Sequence, residues 1–277
     1  MLGCDERPVR GFSRRPVNLG IWLYPNAPVH DLVDAVVAAD QAGVDEIWIA
    51  DEGVAREPIV IFSAAAPLTT RIRMGVGITS PALRHPGAIA SSIATLDELN
   101  GGRTMLGFGV GGHESLGPFG ITVDRPVALV RDAIRLGRAV LQRTSIDGYE
   151  PPDHAAPARN VPIYVGAKGE QLNRLASREA DGAFLSGFAL DQLAIPVAWA
   201  RSVRPITVAL YASVRFRLGA QADPTSLSGT PTQVAAGMAS LADLHQPDCV
   251  GLALVDGDSI PAVMTLALET IQRYRSQ

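Results

Sequence analysis

Three short glycine-rich segments contain residue types that can bind a ligand. Residues 75–81 read GVGITSP, residues 107–113 read GFGVGGH, and residues 166–170 read GAKGE. Each follows an apolar run of the length of a buried β-strand. Glycine permits backbone conformations and close approaches that other residues forbid. We therefore expect these segments to shape a ligand site, although an ordinary Gly/Pro turn would explain the first of them equally well.

The third segment has the composition of an anion site. Lys168 is the only lysine in the chain, which is otherwise rich in arginine as in GC-rich actinobacterial coding, and it lies between Gly166 and Gly169. A helix is predicted directly after it, and the free N–H groups at a helix start attract anions. The segment predicts a phosphate site, with a solvated turn as the alternative. The second segment matches GxGxxG only loosely, which is weak support for a nucleotide site.

Several common chemistries lack their residues. The histidines show no HxH or HExxH spacing, so no catalytic metal is expected. There is no GxSxG motif, no Cys/His pair in a plausible context, and no pair of carboxylates of the glycosidase kind. These absences favour chemistry carried by a bound cofactor. The histidines are His30, His85, His113, His154 and His245.

The composition is that of a globular protein. The chain has 277 residues, 47% of them hydrophobic, and a net charge of −4. Without a basic face, neither nucleic acid nor a membrane surface is expected as a partner, and no apolar run approaches the roughly 20 residues that cross a bilayer. Cys4 and Cys249 form no pairing framework, which favours a cytoplasmic location. Arg14-Arg15 suggests an export signal, but the apolar segment after it is too short for one.

The predicted elements alternate along the chain. Helical stripes of period 3.6 follow the apolar runs, as in Val29, Leu32, Val33 and Val36. This alternation predicts the α/β class and a single (β/α)8 TIM barrel, with its working site at the carboxyl ends of the strands and an open doubly wound sheet as the alternative. Residues 1–16 are expected to be a flexible leader, 17–277 one barrel domain, and 151–160 a surface loop. The predicted strands are residues 17–23, 46–50, 72–77, 104–108, 163–165, 182–185, 206–211 and 249–254.

Two helix boundaries are readable from capping residues. Residues 230–233 read TPTQ, in which Thr is an N-cap, Pro occupies the first turn and Gln completes a capping box. Residues 100–102 read NGG, which is typical of a helix end. We expect helices to begin after Thr230 and to end at Asn100.

Seven segments resemble the bacterial luciferase-like superfamily. The closest similarity is to its deazaflavin (coenzyme F420)-dependent reductases of the methylenetetrahydromethanopterin reductase type, and it spans roughly residues 17–275. The part from RHP to DELNGGR is the most specific. The matching segments are residues 46–51 (EIWIAD), 77–86 (GITSPALRHP), 94–103 (ATLDELNGGR), 106–109 (LGFG), 164–169 (YVGAKG), 180–182 (ADG) and 229–231 (GTP).

The resemblance implies a cofactor laid across the carboxyl end of the barrel. A non-prolyl cis peptide at Gly77–Ile78 would support the ring, Thr79 and Ser80 would contact its polar atoms, and the loop around Lys168 would take the phosphate. Coenzyme F420 is the expected cofactor, with FMN as the alternative. The implied cofactor-binding residues are Gly77, Ile78, Thr79, Ser80, Gly109, Gly111, Gly112, His113, Gly166, Ala167, Lys168 and Gly169.

The implied reaction is hydride transfer between C5 of the deazaflavin and a small organic substrate. Asp51 would face the ring or the substrate, and a proton donor would come from Glu52, Glu114 or His85. Each of these three could instead be an exposed or capping residue. The catalytic candidates are thus Asp51, Glu52, His85 and Glu114.

The chain departs from one branch of this superfamily. Sugar- and alcohol-oxidising relatives carry Asp-His after the second strand, where this chain has Asp51-Glu52, and a glutamate where it has Gly112. Oxidation of sugars or secondary alcohols is therefore disfavoured. Other hypotheses are an FMN-dependent monooxygenase and a barrel that binds flavin or deazaflavin without turnover. A homodimer that forms through the barrel helices is expected from the resemblance.

Overall fold

The computed structural model describes residues 17–166, 168–216, 223–254 and 259–277. The predicted leader, residues 1–16, and the cofactor candidate Ala167 lie outside the described residues. Within the described ranges no helix is long and apolar enough to cross a membrane.

Strands and helices alternate as the apolar pattern predicts. The strands are β1 Asn18–Leu23, β2 Glu46–Ile49, β3 Arg73–Thr79, β4 Thr104–Phe108, β5 Ile163–Gly166, β6 Gly182–Ser186, β7 Thr207–Arg215, β8 Ser226–Ser228 and β9 Cys249–Leu254. The helices are α1 Val29–Gln41, α2 Pro58–Ala65, α3 Pro86–Leu99, α4 His113–Leu116, α5 Pro126–Gln142, α6 Glu170–Glu179, α7 Ala194–Ala200, α8 Pro231–His245 and α9 Ile260–Arg275. Short 3-10 turns are Ala66–Leu68, Gly117–Phe119 and Leu190–Gln192.

Parallel pairing closes the sheet into a barrel. The ring runs β1-β2-β3-β4-β5-β6-β7-β9, and β9 pairs back onto β1. The predicted (β/α)8 TIM barrel is therefore confirmed, and the open-sheet alternative is wrong because the sheet has no free edge between β1 and β9.

Three strands, β3, β7 and β8, differ from the prediction by two residues or more. β3 continues two residues past Gly77 to Thr79, across a bulge between Val76 and Thr79. The three-residue β8 was not predicted because the sequence Ser-Leu-Ser offers no apolar run. It pairs with the end of β7, which extends beyond the predicted 206–211 to Arg215.

Aromatic rings fill the inside of the barrel against glycines. Trp48 packs on Phe184 at 5.1 Å between ring centroids, and Phe184 stacks on Tyr211 at 4.7 Å. A Cβ added to Gly75 would lie 2.1 Å from Trp48 Cδ2, and one added to Gly20 would lie 2.0 Å from the Tyr211 hydroxyl. Large side chains thus occupy the volume that glycines leave open, as close packing requires.

A buried carboxylate organises the amino end of the barrel. Glu46 is 1% exposed; it accepts hydrogen bonds from Trp48 Nε1 at 3.0 Å and the Tyr211 hydroxyl at 2.8 Å, and it pairs with Arg73. Burial, the Cys249 side chain and Glu46 raise the pKa of Tyr211, which keeps its hydroxyl a donor. A charge this deeply buried requires such partners. They fill the amino end and leave the carboxyl end for a ligand.

The DELNGGR segment forms a clamp at the same amino end. Arg103 donates to the carbonyls of Asn100 at 2.7 Å and Ile72 at 2.8 Å, and through its other terminal nitrogen to that of Thr69 at 3.1 Å. Asn100 Oδ1 accepts from the Arg103 amide at 2.9 Å. The most specific part of the family resemblance therefore positions β3 and β4 and does not line the ligand cavity.

Both helix boundaries predicted from capping residues are confirmed. Thr230 and Gln233 form the reciprocal capping box at the start of α8. α3 ends at Leu99 with Asn100 as its C-cap, and Gly101 follows in the left-handed region at φ +74°. The region predicted as a loop, residues 151–160, contains neither helix nor strand.

Candidate active site

A cavity of about 390 Å³ opens at the carboxyl ends of the strands. It receives residues from the strands β1, β3, β5 and β6, from the loops that follow β2, β4 and β5, and from the helices α4 and α6. Parallel strands end at one edge, so side chains that are distant in the sequence converge there. The lining residues are Trp22, Asp51, Glu52, Ile78, Gly109, Val110, Gly111, Gly112, Ser115, Gly166, Lys168, Leu172, Phe184 and Ser186.

Ile78 forms part of the cavity floor where β3 bulges. The Gly77–Ile78 peptide bond is cis, at the position that the resemblance implies. Trp22 lies beside Ile78 in the lining and donates from Nε1 to the Gly77 carbonyl at 3.1 Å. These two side chains present an apolar surface that a flat ring system could cover.

The glycines of the second and third motifs make room for Ile78. A Cβ added to Gly109 would lie 2.4 Å from Ile78 Cγ2, and one added to Gly166 would lie 2.3 Å from Ile78 Cγ1. Gly112, in contrast, faces open space, with no atom within 4 Å of such a Cβ. At Gly109 and Gly166 the space left by the missing side chain is therefore taken by Ile78, although both glycines line the cavity.

Thr79 and Ser80 hold loops together instead of lining the cavity. Both are buried, at 0% and 1% exposure. The Thr79 hydroxyl donates to Asp51 Oδ2 at 2.5 Å, and the Ser80 hydroxyl donates to the Val110 carbonyl at 2.6 Å. The resemblance implied that these hydroxyls contact polar atoms of the ring. In the structure each hydroxyl instead donates a hydrogen bond to a neighbouring loop.

Arg84 and His85 are absent from the cavity lining, and each has a structural partner. Arg84 donates to Asp51 Oδ2 at 3.3 Å and pairs with Glu57 Oε1 at 3.3 Å. His85 is exposed and caps α3, its Nδ1 accepting from the Gly87 amide at 3.2 Å. His85 is therefore a capping residue here and is not part of the cavity lining.

Asp51 and Glu52 both line the cavity but differ in their partners. The Asp51 carboxylate is held by Arg84 and Thr79, as described above. No ion pair joins Glu52 to a cation anywhere in the described ranges. Burial, together with the nearby charges of Glu114 and Asp51, raises the pKa of Glu52 from its ordinary 4.5 to about 7. Such a group exchanges a proton at neutral pH.

Tyr24 and Glu114 lie near Glu52 on the acidic side of the cavity, but neither is part of the cavity lining. Tyr24 follows β1, and burial and the charges of Glu52 and Glu114 raise the pKa of its phenol. Glu114 is exposed on α4 and is absent from the lining. His113, which begins α4, packs its ring over Gly117, where an added Cβ would lie 2.9 Å from His113 Cε1. Of the predicted cofactor-binding residues in this loop, Gly109, Gly111 and Gly112 line the cavity and His113 does not.

The basic side of the cavity lies at the end of β5. Lys168 lines the cavity, and none of the described residues forms an ion pair with it. Gly169 is the N-cap of α6 and does not line the cavity. Carboxyl groups therefore lie after β2, three strands around the ring from the cation after β5. Across the described residues, no group of three or more His, Cys, Asp or Glu side chains is placed to hold a metal ion.

Several lining residues were missed by sequence reasoning. Trp22 and Ser186 are at or next to the ends of β1 and β6, so their strand-end positions were a usable signal. Leu172 and Phe184 are apolar residues on α6 and β6, and nothing in their sequence pattern separates them from core residues. Val110 and Ser115 belong to the segment after β4, in which only the glycines gave a sequence signal.

The chain belongs to the luciferase-like monooxygenase family. The sequence profile of this family matches residues 15–215, well over half of the chain. The family resemblance inferred from the motifs is confirmed.

Among curated relatives, two activities recur. A 5,10-methylenetetrahydromethanopterin reductase from Methanolobus tindarius is 31% identical over 176 residues, which cover 61% of this chain and 54% of the relative. An F420-dependent glucose-6-phosphate dehydrogenase from Beutenbergia cavernae is 36% identical over 171 residues, covering 55% of this chain and 51% of the relative. The chain thus spans about half the length of the curated relatives it matches.

A solved structure is similar over nearly the whole chain. The coenzyme F420-dependent tetrahydromethanopterin reductase from Methanopyrus kandleri has a TM-score of 0.78, covering 94% of this chain and 100% of that one at 20% identity. At this identity the similarity concerns the barrel fold alone.

Proposed function

We propose that this protein is an F420-dependent oxidoreductase that transfers a hydride between the deazaflavin C5 and a small organic substrate. The observation that carries this proposal is the two-ended cavity. It combines an apolar floor of Ile78 and Trp22 with a cation, Lys168, that has no ion-pair partner in the described chain. A flat ring joined to a phosphate has the complementary chemistry. The name of the curated relative from Beutenbergia cavernae, an F420-dependent dehydrogenase, supports the same cofactor.

The residues present fit this cofactor. Ile78 and Trp22 would support the ring, Gly111 and Gly112 would border it, and Lys168 would neutralise the phosphate at the start of α6. When bound, coenzyme F420 supplies hydride chemistry at C5. The protein's own contribution is to orient the substrate and to exclude water. Holding two reactants in the right geometry can lower the activation barrier substantially.

The test is an absorption titration of the purified protein with F420 and with FMN in parallel. We expect F420 to bind in the micromolar range or tighter, and FMN more weakly. Absence of any spectral shift with F420 would overturn the proposal. Tight binding of FMN together with oxygen consumption would favour the monooxygenase alternative, whereas tight F420 binding without turnover would favour a non-catalytic carrier.

Lys168→Gln tests the anion end of the cavity. Because the substitution removes the cation of this side, we expect F420 binding to weaken on the order of tenfold at low ionic strength and less at high salt. Lys168→Arg retains the charge and should bind nearly as well. Arg174→Gln on α6 is a matched control, since Arg174 pairs with Glu170 outside the cavity lining. Equal affinities of the Lys168→Gln and Arg174→Gln variants would contradict the assignment.

The proposal includes a homodimer in the cytoplasm. Exposed apolar side chains on neighbouring elements support a helix-mediated dimer, namely Val60 at 64%, Leu68 at 59% and Leu99 at 52% exposure. The buried, unpaired Cys249 thiol supports a reducing compartment. Sedimentation of the wild-type protein at micromolar concentration should give twice the chain mass, and a monomer would contradict the dimer.

A further inference from the structure

The two carboxyl groups after β2 are prepared for different tasks by their surroundings. Asp51 Oδ2 accepts from the Thr79 hydroxyl and from Arg84, and Asp51 Oδ1 accepts from the Gly53 amide at 3.4 Å. Glu52 lines the same cavity, is half-buried, and has no cationic partner in the described chain. One carboxylate is thus held as a fixed acceptor, and the other is available to a bound molecule.

The groups around Glu52 disfavour its ionised form. Asp51 on the same loop and Glu114 on α4 carry like charge, and Tyr24 after β1 offers a phenol instead of a cation. The cation of the lining, Lys168, belongs to the far side of the ring. Because like charges and burial both oppose ionisation, Glu52 retains a proton to higher pH than an ordinary glutamate.

We propose that Glu52 is the proton donor of the proposed reaction and that the substrate is a polarised double bond, carbon to oxygen or carbon to nitrogen, that is reduced. This inference rests on the proposed function, in which a reduced deazaflavin is the hydride donor. The π bond of the acceptor breaks, its carbon gains the hydride with both electrons, and its heteroatom takes the proton from the Glu52 carboxyl. Glu114 and Asp51 act on Glu52 through their charge and are positioning residues.

The first experiment needs no cofactor. The glutamate side-chain carboxyls are labelled with carbon-13 and titrated by NMR, and the resonance absent from Glu52→Gln identifies Glu52. We expect its midpoint near pH 7, and we expect Glu114→Gln to lower it because a like charge is removed. Glu150→Gln, in an exposed loop, is the matched control and should leave the Glu52 midpoint unchanged. A Glu52 midpoint near 4.5 would overturn the assignment.

The second experiment uses a carbonyl probe, benzaldehyde, and an imine probe, 3,4-dihydroisoquinoline, with reduced F420. The wild-type protein should oxidise reduced F420 with at least one of them. Glu52→Gln should slow this reaction on the order of 100-fold with F420 affinity unchanged, which is the usual size of a general-acid contribution. A Glu52→Gln rate equal to that of the wild type would overturn the assigned donor. Wild-type protein that binds reduced F420 but oxidises it with neither probe would overturn the substrate class.

Failure of the two proposals can be distinguished. If F420 does not bind to the wild-type protein, the proposed function fails, and the proton-donor role fails with it. If F420 binds but Glu52 titrates like an exposed glutamate, only the present inference fails.

Discussion

Ile78 lies in a space bordered by the glycines of two neighbouring loops, so a single added methyl group can test the packing of the cavity floor. Gly109→Ala would place a Cβ 2.4 Å from Ile78 Cγ2 and 2.9 Å from the Gly166 carbonyl oxygen. Since the backbone carbonyl cannot rotate away, we expect a loss of about 1–3 kcal/mol in the free energy of unfolding. Chemical denaturation measures it.

The control for that substitution is Gly169→Ala, because an added Cβ at Gly169 meets no atom within 4 Å. Its stability should change by less than about 0.5 kcal/mol. In an Ile78→Ala background the cost of Gly109→Ala should shrink, since the contacted methyl group is gone. A cost that is the same in both backgrounds would contradict the packing explanation.

Single residues were the least predictable level from the sequence. The glycine motifs located the cavity correctly, but Gly109 and Gly166 face Ile78, and Thr79 and Ser80 bond to neighbouring loops. The contacts of these residues depend on which side chain of another strand packs against the motif. The spacing of residues along one strand does not contain that information. The position of Lys168 in the cavity lining was easier to predict, because the only lysine of the chain lies in a glycine loop directly before a helix.

At the scale of elements, the contacts of Arg103 connect α3, β3 and β4 at the amino end of the barrel. Arg103→Gln removes donors to the carbonyls of Thr69, Asn100 and Ile72. Hydrogen bonds from a charged group contribute about 1.5–3 kcal/mol, so we expect a loss of at least 2 kcal/mol in unfolding free energy. F420 affinity should stay within about twofold, because the clamp does not line the cavity.

Arg131→Gln is a suitable comparison for Arg103→Gln. Arg131 pairs with its exposed neighbour Asp132, a contact that contributes little. We expect its stability to stay within about 0.5 kcal/mol of the wild type. If Arg103→Gln changed F420 affinity as strongly as it changed stability, the division between the clamp and the cavity would be wrong.

Elements were the most predictable level. Long apolar runs and the capping residues at Thr230 and Asn100 determined the order of strands and helices, since burial on both faces leaves a direct mark on the sequence. The end of β3 was misplaced because its last residues follow a bulge, and β8 was missed because three residues of mixed polarity show no period. The most specific sequence motif marked a structural clamp, which sequence similarity alone cannot separate from a catalytic one.

For the whole molecule, the acidic side of the cavity predicts a pH dependence of stability. The folded protein binds the Glu52 proton more tightly than the unfolded chain does, with a pKa of about 7 against 4.5. Raising the pH through this window therefore lowers the stability of the wild type. Glu52→Gln cannot ionise, so it should match the wild type near pH 4 and exceed it by about 1 kcal/mol at pH 8, after allowance for solvent screening.

Denaturation curves at pH 4 and pH 8 measure this difference, and Glu150→Gln serves again as the exposed control. If Glu52→Gln were more stable than the wild type by the same amount at both pH values, the charge of Glu52 would not be the cause of the difference.

The Glu46 network and the Arg103 clamp both lie at the end of the barrel opposite the cavity. A loop after β2, β4 or β5 can therefore be exchanged for one of another length while both sets of contacts remain. Directed evolution of new substrate preferences could then randomise the cavity loops on an intact scaffold, and most variants from such a library would still reach the folded state.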